Sequence, residues 1–181
     1  RIVVQYNFDE IIDRRNTGSV KWHYSDDTIP LWVADMDFKT PNFINDAIIS
    51  AAQNSLYGYS IVSNETIDSI VKWQKNQHSW EILPNEIFMI NGVVPAYSAC
   101  IEAFSDEGDE VIVQTPVYPP IFNCVKANNR KIVVNELINT NGYYTMDFDD
   151  LEKKITPKTK ILALCSPHNP VGRVWSKEEL E

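Results

Sequence analysis

Lys160-Ile161-Leu162-Ala163-Leu164-Cys165 runs directly into Ser166-Pro167-His168-Asn169-Pro170-Val171-Gly172, and this stretch decides how the chain is read. Its first half is a short apolar run of the kind that makes a fully buried strand. Its second half, crowded with Pro, Asn and Gly, is a turn. A buried strand therefore ends in a rigid loop. In an open α/β sheet, ligands sit just beyond the carboxyl ends of the strands, which puts the Asn169 amide where it can meet one. Pro170 locks the next φ, removes a backbone donor and makes a cis Asn169–Pro170 bond plausible.

Working back from that loop, strand-like and helix-like patterns alternate from residue 86 onward. Glu86-Ile87-Phe88-Met89-Ile90 reads as a strand, and Asn91-Gly92-Val93-Val94-Pro95 as the turn into a helix marked by Ala96, Ala99, Cys100, Ala103 and Phe104. A strand that turns through Gly into a helix leaves free backbone N–H groups at the positive end of the helix dipole, an arrangement suited to phosphate. Gly92 permits close approach, Val93 and Val94 offer amides, and Pro95 lacks an N–H where a helix tolerates the loss. The residues alone leave this open between a phosphate site and an ordinary βα turn. Gly108 reads as the end of that helix, and Glu110–Gln114 as the next strand, leading into Thr115-Pro116-Val117-Tyr118-Pro119-Pro120. Tyr118 thus emerges at a strand's carboxyl end between prolines, either as a packing aromatic or as a face for a ligand.

Phe122 and Val125 suggest a helix, Lys131–Asn135 a strand, and Asn141-Gly142 a turn. Asp147 then caps a helix carrying Leu151 and Ile155, which ends before Pro157. Four strand and helix alternations without a linker or internal repeat predict an α/β fold, a mostly parallel sheet with flanking helices.

Upstream, Phe8–Arg15 reads as a short amphipathic helix and Asn16-Thr17-Gly18-Ser19 as a turn. Thr40-Pro41 reads as N-cap and first residue of a helix over 41–54, with Ile44, Ala47, Ile48 and Ala51 at helical spacing. Tyr57-Gly58-Tyr59-Ser60 interrupts, and Ile67, Ile70, Val71 and Gln74 set the face of a second helix after Asn64. Asp35-Met36-Asp37 supplies two carboxylates without a third ligand, a poor cation cage, and is read as a structured loop. No metal site is expected.

Sixteen basic against twenty-five acidic side chains give a net charge of −9, and no dense Lys/Arg cluster is present to draw a phosphate backbone, so nucleic acid is not expected as a partner. The three cysteines are odd in number, widely spaced and set among apolar residues, which reads as buried thiols in a reducing compartment. No signal peptide or bilayer-length apolar run is present, so the chain reads as cytoplasmic without membrane association. His168 reads as a loop residue, His23 and His78 as superficial, and Arg173 as structural. Ser176 and Glu179 form a capping box that opens a helix whose apolar face never arrives, so the chain is expected to be part of a longer protein.

Taken together, Ser166-Pro167-His168-Asn169-Pro170-Val171-Gly172, Leu31-Trp32-Val33-Ala34-Asp35-Met36-Asp37-Phe38 and Tyr57-Gly58-Tyr59-Ser60 resemble the pyridoxal 5'-phosphate (PLP) enzymes of aspartate aminotransferase fold, aminotransferase class I/II. The likeness is to their cystathionine β-lyase branch, the aminotransferase-like C–S lyases. It runs from about Phe8 to the last residue.

The resemblance implies residues 1–40 as an N-terminal arm and small-domain segment, and 41–181 as the N-terminal part of an incomplete large PLP-binding domain. It implies that Gly92, Val93 and Val94 bind the cofactor phosphate together with Tyr59 from the other subunit of a homodimer, the active site being shared. A tyrosine hydroxyl donates to phosphate without adding charge. It implies further that Tyr118 stacks on the pyridine ring and that Asn169 hydrogen-bonds the ring's phenolic oxygen. The Schiff-base lysine, the acidic partner of the ring nitrogen and the substrate-carboxylate arginine are expected downstream of Glu181, leaving no catalytic residue within the chain. The implied activity is β-elimination of L-cystathionine or a related cysteine S-conjugate to a thiol, pyruvate and ammonia. An aminotransferase, which shares the cofactor motifs, and a non-catalytic binding or regulatory protein on the same scaffold are the alternatives.

Overall fold

The computed structural model describes residues 6–23 and 27–181, so part of the segment 1–40 lies outside the described residues. The chain divides into two compact units, Arg1–Ser63 and Asn64–Glu181.

In the first unit, helix α1 (Asn42–Gln53) forms where the apolar spacing places it. Its N-cap is Pro41, with no side-chain cap, so Thr40 does not cap as its residue type suggested. The helix expected over 8–15 does not form; its residues are irregular up to a turn at 15–18. Charge pairing holds them instead. Arg14 bridges Asp35 at 2.9 Å and Asp37 at 2.7 Å. Lys21, nearly buried, meets the other oxygen of Asp37 at 2.7 Å and donates to the Asp35 carbonyl at 2.8 Å, and the Trp22 indole donates to Asp37 at 2.8 Å. An isolated eight-residue helix gains too little to nucleate in water, and these fixed ion pairs favour an irregular path. Asp35 and Asp37 are thus engaged by cations of the chain itself.

Hydrogen bonds from Lys21, then Trp22, then Arg14 hold the Asp37 carboxyl far below the usual carboxylate range. A carboxyl depressed on folding stabilises the fold fully above its unfolded value, about 3.9, and that contribution disappears as pH falls through the lower folded value. Asp37→Asn is therefore expected to cost stability at neutral pH and to flatten the acid limb below about pH 4, followed by denaturant titrations at successive pH. An acid limb as steep as that of the unaltered protein would remove Asp37 as its source.

The second unit opens with α2 (Asn64–His78), followed by a 3₁₀ turn at Pro84–Glu86. Residues 87–90, expected as a strand, are unpaired, with Phe88, Met89 and Ile90 exposed. Ile87 keeps extended backbone at φ −103°, ψ 119°. A strand exists only through a ladder partner, and none adjoins this segment among the described residues.

Helix α3 (Val93–Phe104) leads to β1 (Glu110–Thr115), then α4 (Pro120–Ala127), β2 (Lys131–Glu136), β3 (Ile138–Thr140), β4 (Tyr143–Thr145), α5 (Phe148–Lys154), β5 (Thr159–Ala163) and α6 (Lys177–Leu180). Among the described residues the sheet is parallel and ordered β2-β1-β5, three strands rather than four, and the sequence pattern missed the antiparallel β3/β4 hairpin around Asn141-Gly142. Three-residue strands are too short to carry a periodic signal.

Central β1 is buried on four consecutive residues, whereas β5, expected to be fully buried, alternates and leaves Leu162 exposed because it lies at the sheet's edge. Val111 and Val113 pack with Ile101 of α3, Cys124 and Val125 of α4 and Ala163 of β5. Gln114, also fully buried, donates to Asn135 at 3.2 Å, and Asn135 in turn donates to Asp150 at 2.8 Å and to the Asp147 carbonyl at 3.1 Å. That polar chain fastens α5 beneath the sheet, helped by the Asp147 N-cap, which accepts from the Asp150 amide at 2.9 Å. Gly108 lies in a turn after α3, whose C-cap is Ser105, and does not itself end the helix. Of the three thiols, none is paired, and Cys100 is exposed contrary to expectation, because α3 turns that face outward. Among the described residues no helix is long and apolar enough to cross a membrane.

Candidate cofactor site

Parallel pairing brings the carboxyl ends of β1 and β5 to one edge of the sheet. The turn after β1 carries Tyr118, and the loop after β5 carries Asn169. Pro119 and Pro120 begin α4 immediately behind Tyr118, so the turn has little freedom to move. The Asn169 loop is closed by backbone bonds from the His168 amide to the Arg173 carbonyl and from the Gly172 amide to the His168 carbonyl, each 2.7 Å. Its Asn169–Pro170 peptide is cis, as the sequence suggested, and so are Thr115–Pro116 and Ser166–Pro167.

At the same edge α3 begins. Its N-cap is Gly92 at φ 106°, ψ 164°, a conformation essentially reserved for glycine, and no side chain caps the helix. The Val93 and Val94 amides precede the first intrahelical bond, from Ala96 to Gly92, so they remain donors at the positive end of the helix dipole. The first turn holds no acidic residue to compete for them.

These three elements enclose a cleft of about 350 Å³ whose lining includes Val93, Val94, Tyr118 and Asn169. Four of the six residues singled out in the sequence therefore converge, and Gly92 adjoins them as the N-cap. Tyr59 belongs to the other unit, where its ring is fully exposed. Among the described residues no hydrogen bond engages the Asn169 side chain.

Sequence reasoning missed Tyr97 and Cys165, which line the same cleft. Tyr97 sits one turn beyond Val93 on α3, a spacing that would have revealed it. Its hydroxyl is buried without a partner among the described residues, and that burial, aided by the neighbouring Cys124, pushes its pKa up to about 12. His168, read as a loop residue, is wholly buried. Arg173 has the structural engagement its position suggested: it grips Glu179 at 2.7 and 2.9 Å, stacks on Tyr143 and Trp175, and donates to the Tyr144 carbonyl.

The cleft thus offers main-chain donors for an anion at one end, a tyrosine ring for a flat surface to lie against, and a free carboxamide at the rim. That donor set fits a planar heteroaromatic ring bearing a phosphate. Fold and cleft together define an α/β protein with a strand-end cleft whose donors suit an anionic, ring-bearing ligand.

Residues 26–181 match the family model for aminotransferase class I and II. The chain is 41% identical to cystathionine beta-lyase PatB of Bacillus subtilis (strain 168), over 96% of its own length and 47% of the relative's. Among solved structures it is similar to cystalysin from Treponema denticola, which contains a pyridoxal 5'-phosphate cofactor, with TM-score 0.90, 40% identity, and 98% and 47% of the two chains covered. It is similar also to the PLP-bound C–S lyase from Staphylococcus hominis, with TM-score 0.88, 37% identity and the same coverages. The chain belongs to the aminotransferase class I and II family, with the aspartate aminotransferase-like fold its motifs implied. It spans about half the length of the relatives it matches.

Proposed function

We propose that the chain is part of a PLP-dependent C–S β-lyase of cystathionine β-lyase type, which cleaves L-cystathionine or a related cysteine S-conjugate to a thiol, pyruvate and ammonia. The observation that carries this reading is the meeting of the uncapped α3 N-terminus, the Tyr118 ring and the unengaged Asn169 amide around one cleft. The lyases among its relatives support it.

In this reading Gly92, Val93 and Val94 hold the phosphate through backbone N–H groups, as helix N-termini hold anions. Tyr118 covers a face of the ring and keeps it flat. The Asn169 amide donates to the ring's phenolic oxygen, fixing the ring's rotation without adding charge. When bound, PLP supplies an electron sink for the charge left when the substrate's α-proton is removed. Tyr59 completes the phosphate site from the second subunit of a homodimer, residues 1–40 serve as arm and small-domain segment, and 41–181 belong to the large domain. A reducing, cytoplasmic setting is supported by the three unpaired thiols.

The full-length protein with PLP and L-cystathionine is expected to release pyruvate with no 2-oxo acid present. Amino transfer that begins only once a 2-oxo acid is added would replace this reading by an aminotransferase. Asn169→Ala is expected to weaken PLP binding by about tenfold, the loss of one charge-assisted hydrogen bond, and to shift the absorption of the bound cofactor. An unchanged affinity and spectrum would sink the assignment of Asn169.

A further inference from the structure

His168 precedes Asn169 in the chain yet is wholly buried where Asn169 is exposed. Its Nε2 is 3.0 Å from the carbonyl oxygen of Pro116, in the turn that carries Tyr118 two residues later. A carbonyl can only accept, so Nε2 carries the proton and donates. Nδ1 is then an acceptor, and it is buried without a partner among the described residues. Leaving a polar atom unsatisfied in the interior costs free energy, so an apolar side chain of similar size would suit this position better if filling space were its only task. The ring's edge-to-face contact with Trp175, centroids 5.5 Å apart at 82°, wedges it from behind. Trp175 is itself tied to the start of the loop that follows β5, its indole donating to the Cys165 carbonyl at 2.8 Å. From above, the main-chain bridge to Arg173 locks the His168 backbone.

The ring is therefore a strut between two loops that no strand ladder joins. The Tyr118 turn leaves the sheet at β1 and the Asn169 loop leaves it at β5; beyond those ends their separation has to be set by side chains. We propose that His168 is a positioning residue, whose Nε2–H bond to Pro116 sets the spacing and mutual orientation of Tyr118 and Asn169 and thereby their grip on a flat ligand ring. This rests on the cofactor reading of the cleft given above.

Two amides of nearly equal polarity separate this role from mere burial. The Gln side chain places its nitrogen close to where Nε2 lies, whereas that of Asn, one carbon shorter, stops near Nδ1 and cannot reach Pro116. In the full-length protein His168→Gln is expected to keep PLP affinity and cofactor absorption near those of the unaltered protein. His168→Asn is expected to lose about tenfold in affinity, in keeping with the sensitivity of bound ligands to misplaced contacts. It should also shift the absorption in the same sense as Asn169→Ala. Combining His168→Asn with Asn169→Ala should then cost less than the sum of the two single losses, because part of the His168→Asn effect acts through the Asn169 contact. Equal behaviour of the Gln and Asn variants, or full additivity of the pair, would overturn the positioning role while leaving the cofactor reading standing. If Asn169→Ala itself changed neither affinity nor spectrum, the assignment of Asn169 would fall and the positioning role with it.

Discussion

Ile101→Ala is expected to destabilise the protein by about 3 kcal/mol, within the usual range for truncating a buried aliphatic side chain. Ile101 is the one buried residue of α3, fully shielded, and it reaches into the layer formed by Val111, Val113, Val125 and Ala163. Removing its outer carbons leaves a void that β1 cannot collapse to fill, since β1 is held by ladders on both sides. The neighbouring Glu102 points to solvent, and Glu102→Ala is expected to stay within about 0.5 kcal/mol of the unaltered protein. Denaturant unfolding of the two variants measures the contrast. Equal costs would mean that α3 is not anchored to the sheet through Ile101, and the placement of its N-terminus at the cleft would lose its support.

Gly92→Ala is expected to cost about 1–3 kcal/mol, the strain of holding a side chain in backbone geometry that only glycine adopts readily. A Cβ there would meet nothing nearer than Pro95 Cδ at 3.9 Å, so the cost comes from the backbone and not from a clash. Relieving that strain turns the peptides on either side of residue 92, and the one that follows carries the Val93 amide at the start of α3. Under the proposed function the full-length variant should then bind PLP more weakly as well as unfold more easily. Gly108→Ala supplies the comparison: Gly108 also has positive φ, at 83°, with open space around it, but it lies outside the cleft lining. It should lose stability and keep PLP affinity. Parallel losses of affinity in both variants would point to general loosening and away from a phosphate site at α3.

Local chemistry made much of this legible from residues alone. Helical spacing placed α1, α2 and α3, Asp147 and Ser176 announced their caps, and the prolines and glycines around Tyr118 and Asn169 marked the two loops that form the cleft. Such signals are carried by a few adjacent residues, so they survive in a one-dimensional reading. The expected helix over 8–15 failed for the opposite reason: the contacts that decide its path come from Asp35 and Asp37, more than twenty residues away. The expected strand at 86–90 failed likewise, since apolar composition promises a strand but only a hydrogen-bonded neighbour makes one.

The sequence by itself determined the family, the α/β class and the identity of four residues that meet at the cleft, because each rests on residue type and local spacing. Only the tertiary structure decided that β1 and not β5 is the buried centre of the sheet, that Tyr97 shares the cleft, and that His168 is a buried strut between two loops. Burial and side-chain partnership depend on what comes to lie opposite a residue, and for His168 that is a carbonyl fifty-two positions away.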